Sequence, residues 1–146
     1  MSDKKAIRIG MIDDHDLLRE GICKFLGKYG FETIFDVDSG KSAIDKMERC
    51  EIIPDLCIVD VNMPVMNGFE TTKALHEKYP ELKILAFSVN DDDKDVLKML
   101  QSGADGYLLK GADPEELKRA IEVICNGGRY FSAGVSEIAK KYFRKN

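Results

Sequence analysis

Acidic, hydroxyl and amine side chains stand where apolar segments of this sequence end. They are Asp13, Asp14, Asp60, Ser88 and Lys110. Carboxylates that share a site repel one another and raise each other's pKa unless a cation lies among them. Mg²⁺ prefers oxygen ligands and commonly takes one or two carboxylates together with phosphate and water. An ammonium and a hydroxyl beside such a metal suit a phosphoryl group, so the residue types indicate metal-dependent phosphoryl chemistry.

One segment determines whether these side chains can meet. The apolar run 56–59 leads directly into Asp60, and a turn with Pro64 and Gly68 follows. A short run of this kind, rich in β-branched residues, predicts a strand that is buried on both faces. Asp60 would then lie at the carboxyl end of a central parallel strand, where open α/β sheets place ligands and chemistry.

The rest of the chain alternates predicted strands with predicted helices. This order predicts an α/β domain with a doubly wound, five-stranded parallel sheet in the flavodoxin-like strand order 2-1-3-4-5 and helices on both faces. The domain is expected over residues 5–127. Residues 128–146 form a tail, or the start of a linker, in which apolar positions indicate one short helix with a basic end.

Composition excludes several classes of protein. The chain has 146 residues and a net charge of −4, which argues against direct nucleic-acid binding by this segment. No apolar run approaches the roughly 20 residues of a membrane helix, and the first residues lack the apolar core of a signal peptide. We therefore expect a cytoplasmic protein without a membrane partner. The four cysteines show no zinc-binding spacing.

The order of the candidate residues resembles a known family. Asp13-Asp14, Asp60 with the turn 63–68, Ser88 and Lys110 together resemble the receiver domain of two-component response regulators. The resemblance extends over about 7–125. The segment 103–110, followed by 114–117, resembles the NarL/FixJ branch in particular.

The resemblance implies a role for each residue of the phosphoryl site. Asp60 would accept a phosphoryl group from a sensor histidine kinase or a histidine phosphotransfer protein. Ser88 and Lys110 would contact the phosphoryl oxygens, and Tyr107 matches the aromatic switch residue, whose ring moves when the hydroxyl residue is drawn inward. The protein would be a phosphorylation-activated signalling switch that assists its own phosphotransfer and dephosphorylation, and not a classical enzyme.

The resemblance also implies a metal and an output. Mg²⁺, or alternatively Mn²⁺, would be bound by Asp13, Asp14, Asp60 and the backbone carbonyl of Asn62. A homodimer could form on phosphorylation. NarL/FixJ regulators usually continue into a DNA-binding domain that regulates transcription, so this sequence is either a free-standing receiver or part of a longer regulator. One departure is Gly111, since many receivers have a proline after the lysine.

Other interpretations of the same residues remain open. A haloacid-dehalogenase-like phosphatase also uses an aspartate nucleophile at a strand end with Mg²⁺, but that family has a second aspartate two residues later, where this sequence has Asn62. A receiver-like adaptor would normally lack the acceptor or the acidic pair. Taken singly, Asp13 and Asp14 suit the first turn of a helix, and His15 is interpreted as a solvated residue at a helix start.

Overall fold

The computed structural model describes residues 6–145, and the predicted domain start at Lys5 and the last residue, Asn146, lie outside this range. Strands and helices alternate along it. The strands are β1 (Arg8–Ile12), β2 (Glu32–Val37), β3 (Leu56–Asp60), β4 (Lys83–Ser88), β5 (Gly106–Leu109) and β6 (Tyr130–Phe131). The helices are α1 (Asp16–Lys28), α2 (Gly40–Cys50), α3 (Gly68–Lys78), α4 (Asp93–Ser102), α5 (Pro114–Cys125) and α6 (Ser136–Lys145).

All six strands run parallel in one sheet, in the order β2-β1-β3-β4-β5-β6. The doubly wound fold and the order of the first five strands are confirmed. Strand β3 is buried along its whole length, as its apolar sequence predicts. Cys57 and Val59 pack on one side of the sheet, whereas Leu56 and Ile58 pack on the other. Because the side chains of a strand alternate between faces, one apolar segment supplies both halves of the core.

Two apolar cores therefore enclose the sheet. One core receives side chains from α2, α3, α4 and α6, and the other receives them from α1 and α5. Local signals fix where the helices begin: Asn67 and Glu70 form a capping box at α3, and Asp113 caps α5 ahead of Pro114. No helix in residues 6–145 has the length and apolar character needed to cross a bilayer.

The sheet has a sixth, short strand in addition to the five that were predicted. Tyr130 and Phe131 pair in parallel with Gly106 and Tyr107 and add β6 at the edge of the sheet. Two residues are too few to show an alternating apolar pattern, so this strand has no recognisable signal in the sequence. After β6 the chain forms α6, a helix in the predicted tail. Val135 and Ala139 are buried there, and α6 packs against α4.

The pairing of β6 with β5 depends on the missing side chain of Gly106. A Cβ atom at Gly106 would lie 2.6 Å from the Tyr130 carbonyl oxygen and 2.7 Å from Ile124 Cδ1. We expect Gly106→Ala to lower the free energy of unfolding by about 1–3 kcal/mol, as overpacked cores do. Urea unfolding measures this change.

A matched control is Gly21→Ala within α1, where a Cβ would meet no atom within 4 Å. This variant should gain about 0.5–1 kcal/mol, because alanine loses less backbone entropy than glycine in a helix. Equal stability changes in the two variants would contradict the close approach of β6 to β5.

Candidate functional site

The parallel sheet brings the candidate side chains together at one edge. Asp13 and Asp14 directly follow β1, Asp60 is the last residue of β3, Ser88 is the last residue of β4, and Lys110 directly follows β5. The Lys110 backbone N–H donates to the Ser88 carbonyl oxygen at 2.7 Å, which continues the pairing of β4 and β5 up to the site. The structure thus brings together all five residues singled out by type and spacing.

Lys110 lies between two carboxylates. Its Nζ atom is 3.0 Å from Asp13 Oδ2 and 3.2 Å from Asp60 Oδ1. The side chains are almost closed to water, with exposed fractions of 7% for Lys110, 0% for Asp13 and 2% for Asp60. Charges at this depth interact more strongly than they would in solution, because the surrounding dielectric constant is lower.

A single ammonium does not balance three carboxylates. Burial and the neighbouring carboxyl groups of Asp13 and Asp14 raise the pKa of Asp60 to about 7, although Lys110 opposes the change. In addition, Asp14 Oδ1 and Asp60 Oδ2 are buried without a hydrogen-bond partner in the described structure. Unpaired buried oxygen atoms are costly, and a cation among them would remove both the repulsion and the unmet pairing.

The donor set fits a divalent cation. One ligand atom from each of Asp13, Asp14, His15 and Asp60 can be chosen so that all four lie within 4.8 Å of one another. Carboxylate oxygens are the ligands that Mg²⁺ and Mn²⁺ prefer, so the observed oxygens suit the predicted metal. The exposed fraction of the Asp14 side chain, 29%, leaves an approach from solvent for water or phosphate.

Ser88 and Tyr107 both form hydrogen bonds with the backbone of Asn90. Ser88 Oγ accepts a hydrogen bond from the Asn90 backbone N–H at 3.2 Å. The Tyr107 hydroxyl donates to the Asn90 carbonyl oxygen at 2.9 Å. Both side chains are fully buried, and burial raises the pKa of Tyr107. The tyrosine ring therefore already lies inside the protein in this structure.

The loop after β3 wraps back onto Asp60. The Asn62 backbone N–H donates to Asp60 Oδ1 at 3.3 Å. A Cβ on Gly68 would lie 2.6 Å from the Asp60 carbonyl oxygen, so only glycine allows α3 to start this close to the strand end. Val65 has a φ of 66°, which is rare for a β-branched residue. The Lys110–Gly111 peptide is trans, since the described chain has no cis bond.

One residue at the site, Arg19, was missed by the sequence interpretation. Arg19 donates to the Asp13 carbonyl oxygen at 2.6 Å and forms ion pairs with Asp16 and Asp36, so it fixes the end of β1. Its position one helical turn after His15 was the available signal.

His15 is not simply a solvated residue. Its side chain is 59% exposed, but its Nδ1 atom lies 2.9 Å from Asp13 Oδ1 and 3.3 Å from Lys110 Nζ. The imidazole therefore faces the acidic site directly.

Comparisons with known proteins agree with this geometry. The response regulator receiver domain family matches residues 9–122. The transcriptional regulatory protein DegU of Brevibacillus brevis is 38% identical over 144 residues, which are 98% of this chain and 60% of DegU. The nitrate/nitrite response regulator protein NarL of Escherichia coli K12 is 35% identical over 100% of this chain and 67% of NarL. The chain thus spans only about three fifths to two thirds of the length of these relatives.

Solved structures give the same family. A two-component response regulator of the LuxR family from Aurantimonas sp. SI85-9A1 has a TM-score of 0.85 and 28% identity, covering 95% of this chain and 99% of that one. The signal receiver domain of the putative response regulator NarL from Mycobacterium tuberculosis has a TM-score of 0.78 and 28% identity, covering 85% and 99%. These matches confirm the resemblance to the NarL/FixJ branch, and the phosphatase alternative finds no support among them.

The crowding of carboxylates predicts that neutralising Asp60 stabilises the metal-free protein. The pKa of Asp60 is raised in the folded state, so ionised Asp60 disfavours folding. This loss of folding free energy grows as the pH rises from about 4 to about 7 and is constant above that. In a chelator, Asp60→Asn should therefore raise the free energy of unfolding by about 1–3 kcal/mol near pH 8, and by less near pH 4.5. Urea unfolding at both pH values measures this.

Asp45→Asn on the exposed face of α2 is the control and should show no such pH-dependent gain. If the Asp60→Asn protein had the stability of the parent at both pH values, Asp60 would not be electrostatically strained.

Proposed function

The chain belongs to the response regulator receiver domain family, and we propose that Asp60 is the residue at which it accepts a phosphoryl group. Receivers of this family act in phosphorylation-activated signalling, as switches in two-component systems. One observation supports Asp60 most directly. It is the carboxylate at the end of the central strand β3, and its Oδ2 atom lacks a hydrogen-bond partner while Oδ1 is held by Lys110. A fixed carboxylate with one unengaged oxygen can act as a nucleophile.

The donor is a phosphohistidine on a sensor histidine kinase or a histidine phosphotransfer protein. A carboxylate oxygen of Asp60 attacks phosphorus, a P–O bond forms and the P–N bond to the donor imidazole breaks. The electron pair of the broken bond returns to the imidazole nitrogen, which then takes a proton. Such a transfer needs mainly positioning and charge neutralisation from the protein.

Lys110 and Ser88 supply those two needs. The Lys110 ammonium lies 3.2 Å from Asp60 Oδ1 and can contact a phosphoryl oxygen bound to the same carboxylate. Ser88 can donate its hydroxyl hydrogen to another such oxygen while its Oγ still accepts from Asn90. Preorganised charge of this kind stabilises the negative charge of the transferring group.

Mg²⁺, or Mn²⁺, is the proposed cofactor. Asp13, Asp14 and Asp60 would hold it, and the backbone carbonyl of Asn62 is a further proposed ligand. The metal supplies positive charge to the phosphoryl oxygens and offsets the repulsion among the three carboxylates. The unpaired buried oxygens of Asp14 and Asp60 support this assignment.

The switch uses the link between Ser88 and Tyr107. A phosphoryl group on Asp60 adds charge of about −1.5 to −2 and gives Ser88 a new partner. Ser88 accepts from the Asn90 N–H and Tyr107 donates to the Asn90 carbonyl oxygen, so a shift of Ser88 would move the residue that holds the tyrosine hydroxyl. Because the ring is already buried, the phosphoryl group would increase the population of this arrangement rather than create it.

The extent and output of the protein are also proposals. Residues 5–127 form the receiver domain, and 128–146 form the tail that leads out of it. The relatives are longer and include a transcriptional regulatory protein, so the proposed output of a longer chain is transcription regulation. This segment itself would not bind DNA, and the phosphorylated form could dimerise. A cytoplasmic location stays a prediction.

Asp60→Asn tests the phosphoacceptor. With acetyl phosphate and Mg²⁺, mass spectrometry should detect one added phosphoryl group in the parent and none in Asp60→Asn, because the amide lacks the nucleophilic oxygen. Asp14→Ala should slow the reaction at limiting Mg²⁺, because one metal ligand is lost.

Asp45→Asn, which alters a surface carboxylate of α2, serves as the control and should react like the parent. Phosphorylation of Asp60→Asn at the parent rate would refute the assignment.

Ser88→Ala tests the switch. This variant should still be phosphorylated, because Asp60 and Lys110 remain. Its phosphorylation should change amide exchange across 90–109 much less than in the parent, because alanine cannot bond to the phosphoryl group. Ser102→Ala is the control, since Ser102 Oγ donates within α4 to the Lys98 carbonyl. A response in Ser88→Ala as large as that of the parent would show that Ser88 does not transmit the signal.

A further inference from the structure

His15 brings a nitrogen ligand to a site that otherwise consists of oxygens. Its Nδ1 atom lies 3.4 Å from Asp14 Oδ1 and 3.7 Å from Asp60 Oδ2. Both oxygens are among the buried side-chain atoms of the described residues that lack hydrogen-bond partners, as is Asp13 Oδ2. The exposed imidazole and two unpaired oxygens thus surround one small space next to Asp13.

These separations fit the ligands of a tetrahedral metal ion. Zinc lies about 2.0–2.2 Å from nitrogen and carboxylate ligands, so two ligands of a tetrahedral zinc are separated by about 3.4 Å. The distances from Nδ1 to Asp14 Oδ1 and to Asp60 Oδ2 are close to this value. Small side-chain rotations would be enough to place all three atoms around one ion.

The present contacts of the His15 side chain do not prevent it from binding a metal. His15 is the N-cap residue of α1, but its side chain makes no capping hydrogen bond. Nδ1 now lies 2.9 Å from Asp13 Oδ1, and that oxygen also accepts the His15 backbone N–H at 2.8 Å. If Nδ1 turned to a metal, Asp13 Oδ1 would keep its backbone partner.

We propose that His15 is a ligand through which the acidic site binds Zn²⁺ or a similar transition-metal ion in competition with Mg²⁺. Imidazole is a good ligand for zinc, copper and nickel, whereas Mg²⁺ prefers oxygen. The proposal rests on the proposed function, because Asp13, Asp14 and Asp60 serve both ions. It adds a residue and a class of ligand to that site.

The consequence for signalling follows from coordination number. Mg²⁺ is commonly six-coordinate and keeps positions for water and phosphate. A tetrahedral ion held by His15 and the three carboxylates has no open position, as in structural zinc sites. The zinc-bound protein would therefore offer no metal contact to a phosphoryl oxygen, and zinc would act as an inhibitor of phosphorylation.

His15→Gln tests the proposal. Glutamine keeps a polar side chain of similar reach but replaces the imidazole with a hard amide oxygen. Calorimetric titrations with Zn²⁺ alone and Mg²⁺ alone give the ratio of the two affinities. The experiment uses the Cys50→Ser chain, because the exposed thiol of Cys50 would also bind zinc. We expect this ratio to fall at least tenfold in His15→Gln relative to the parent.

His76→Gln is the matched control, since His76 is the second of the two histidines and lies exposed on α3. It should leave the affinity ratio unchanged. In a histidine-selective nitrogen NMR spectrum, Zn²⁺ should shift the Nδ1 signal of His15 and not that of His76.

The outcomes separate this inference from the function on which it rests. Normal Mg²⁺ binding with an unchanged affinity ratio in His15→Gln, or an unshifted Nδ1 signal, would overturn the role of His15 alone. A parent chain that bound neither ion would overturn the proposed metal site as well. Circular dichroism and thermal unfolding confirm that each variant is folded before titration.

Discussion

The contact of the Lys110 ammonium with the carboxylates of Asp13 and Asp60 is the interaction on which the site depends. It is buried, and removing charges from water is costly unless each finds close partners. Here the partners lie at 3.0 and 3.2 Å, but Asp14 adds a third carboxylate that one ammonium cannot balance. The remaining negative charge favours a cation among these carboxylates.

That contact constrains the sheet around it. Asp13, Asp60 and Lys110 follow or end three different strands, so the ion pairs form only if those strands have the correct register. Strand β3 pairs in a defined register with β1 and β4, and a shift by one residue would move Asp60 to the opposite face of the sheet. The Arg19 side chain donates a hydrogen bond to the Asp13 carbonyl oxygen and so holds the residue that directly follows β1. The positions of the site residues therefore depend on the pairing of the strands that carry them.

The same logic explains what the sequence could and could not predict. Strand ends in a parallel sheet meet at one edge, so Asp60 and Lys110 could be placed together from chain order alone. The sixth strand could not, since it has two residues and depends on the absence of a side chain at Gly106. The orientation of the His15 side chain could not be predicted either, because no sequence pattern separates a histidine that faces the site from one that faces solvent. Periodic patterns in a sequence predict helices and strands, whereas a contact between two individual side chains is seen only in the structure.

The tail is joined to β5 by hydrogen bonds. Ser132 Oγ accepts from the Leu109 backbone N–H at 3.0 Å, and the Ser132 N–H donates to the Tyr107 carbonyl oxygen at 3.0 Å. The strand that positions Tyr107 and Lys110 is therefore bonded on its outer side by residues that lead into α6. Helix α6 also packs against α4, which begins soon after Ser88. Contacts thus run from Ser88 and Lys110 to the last helix, and a ligand at the proposed phosphoryl site would alter the helix only by favouring one of two arrangements of these contacts.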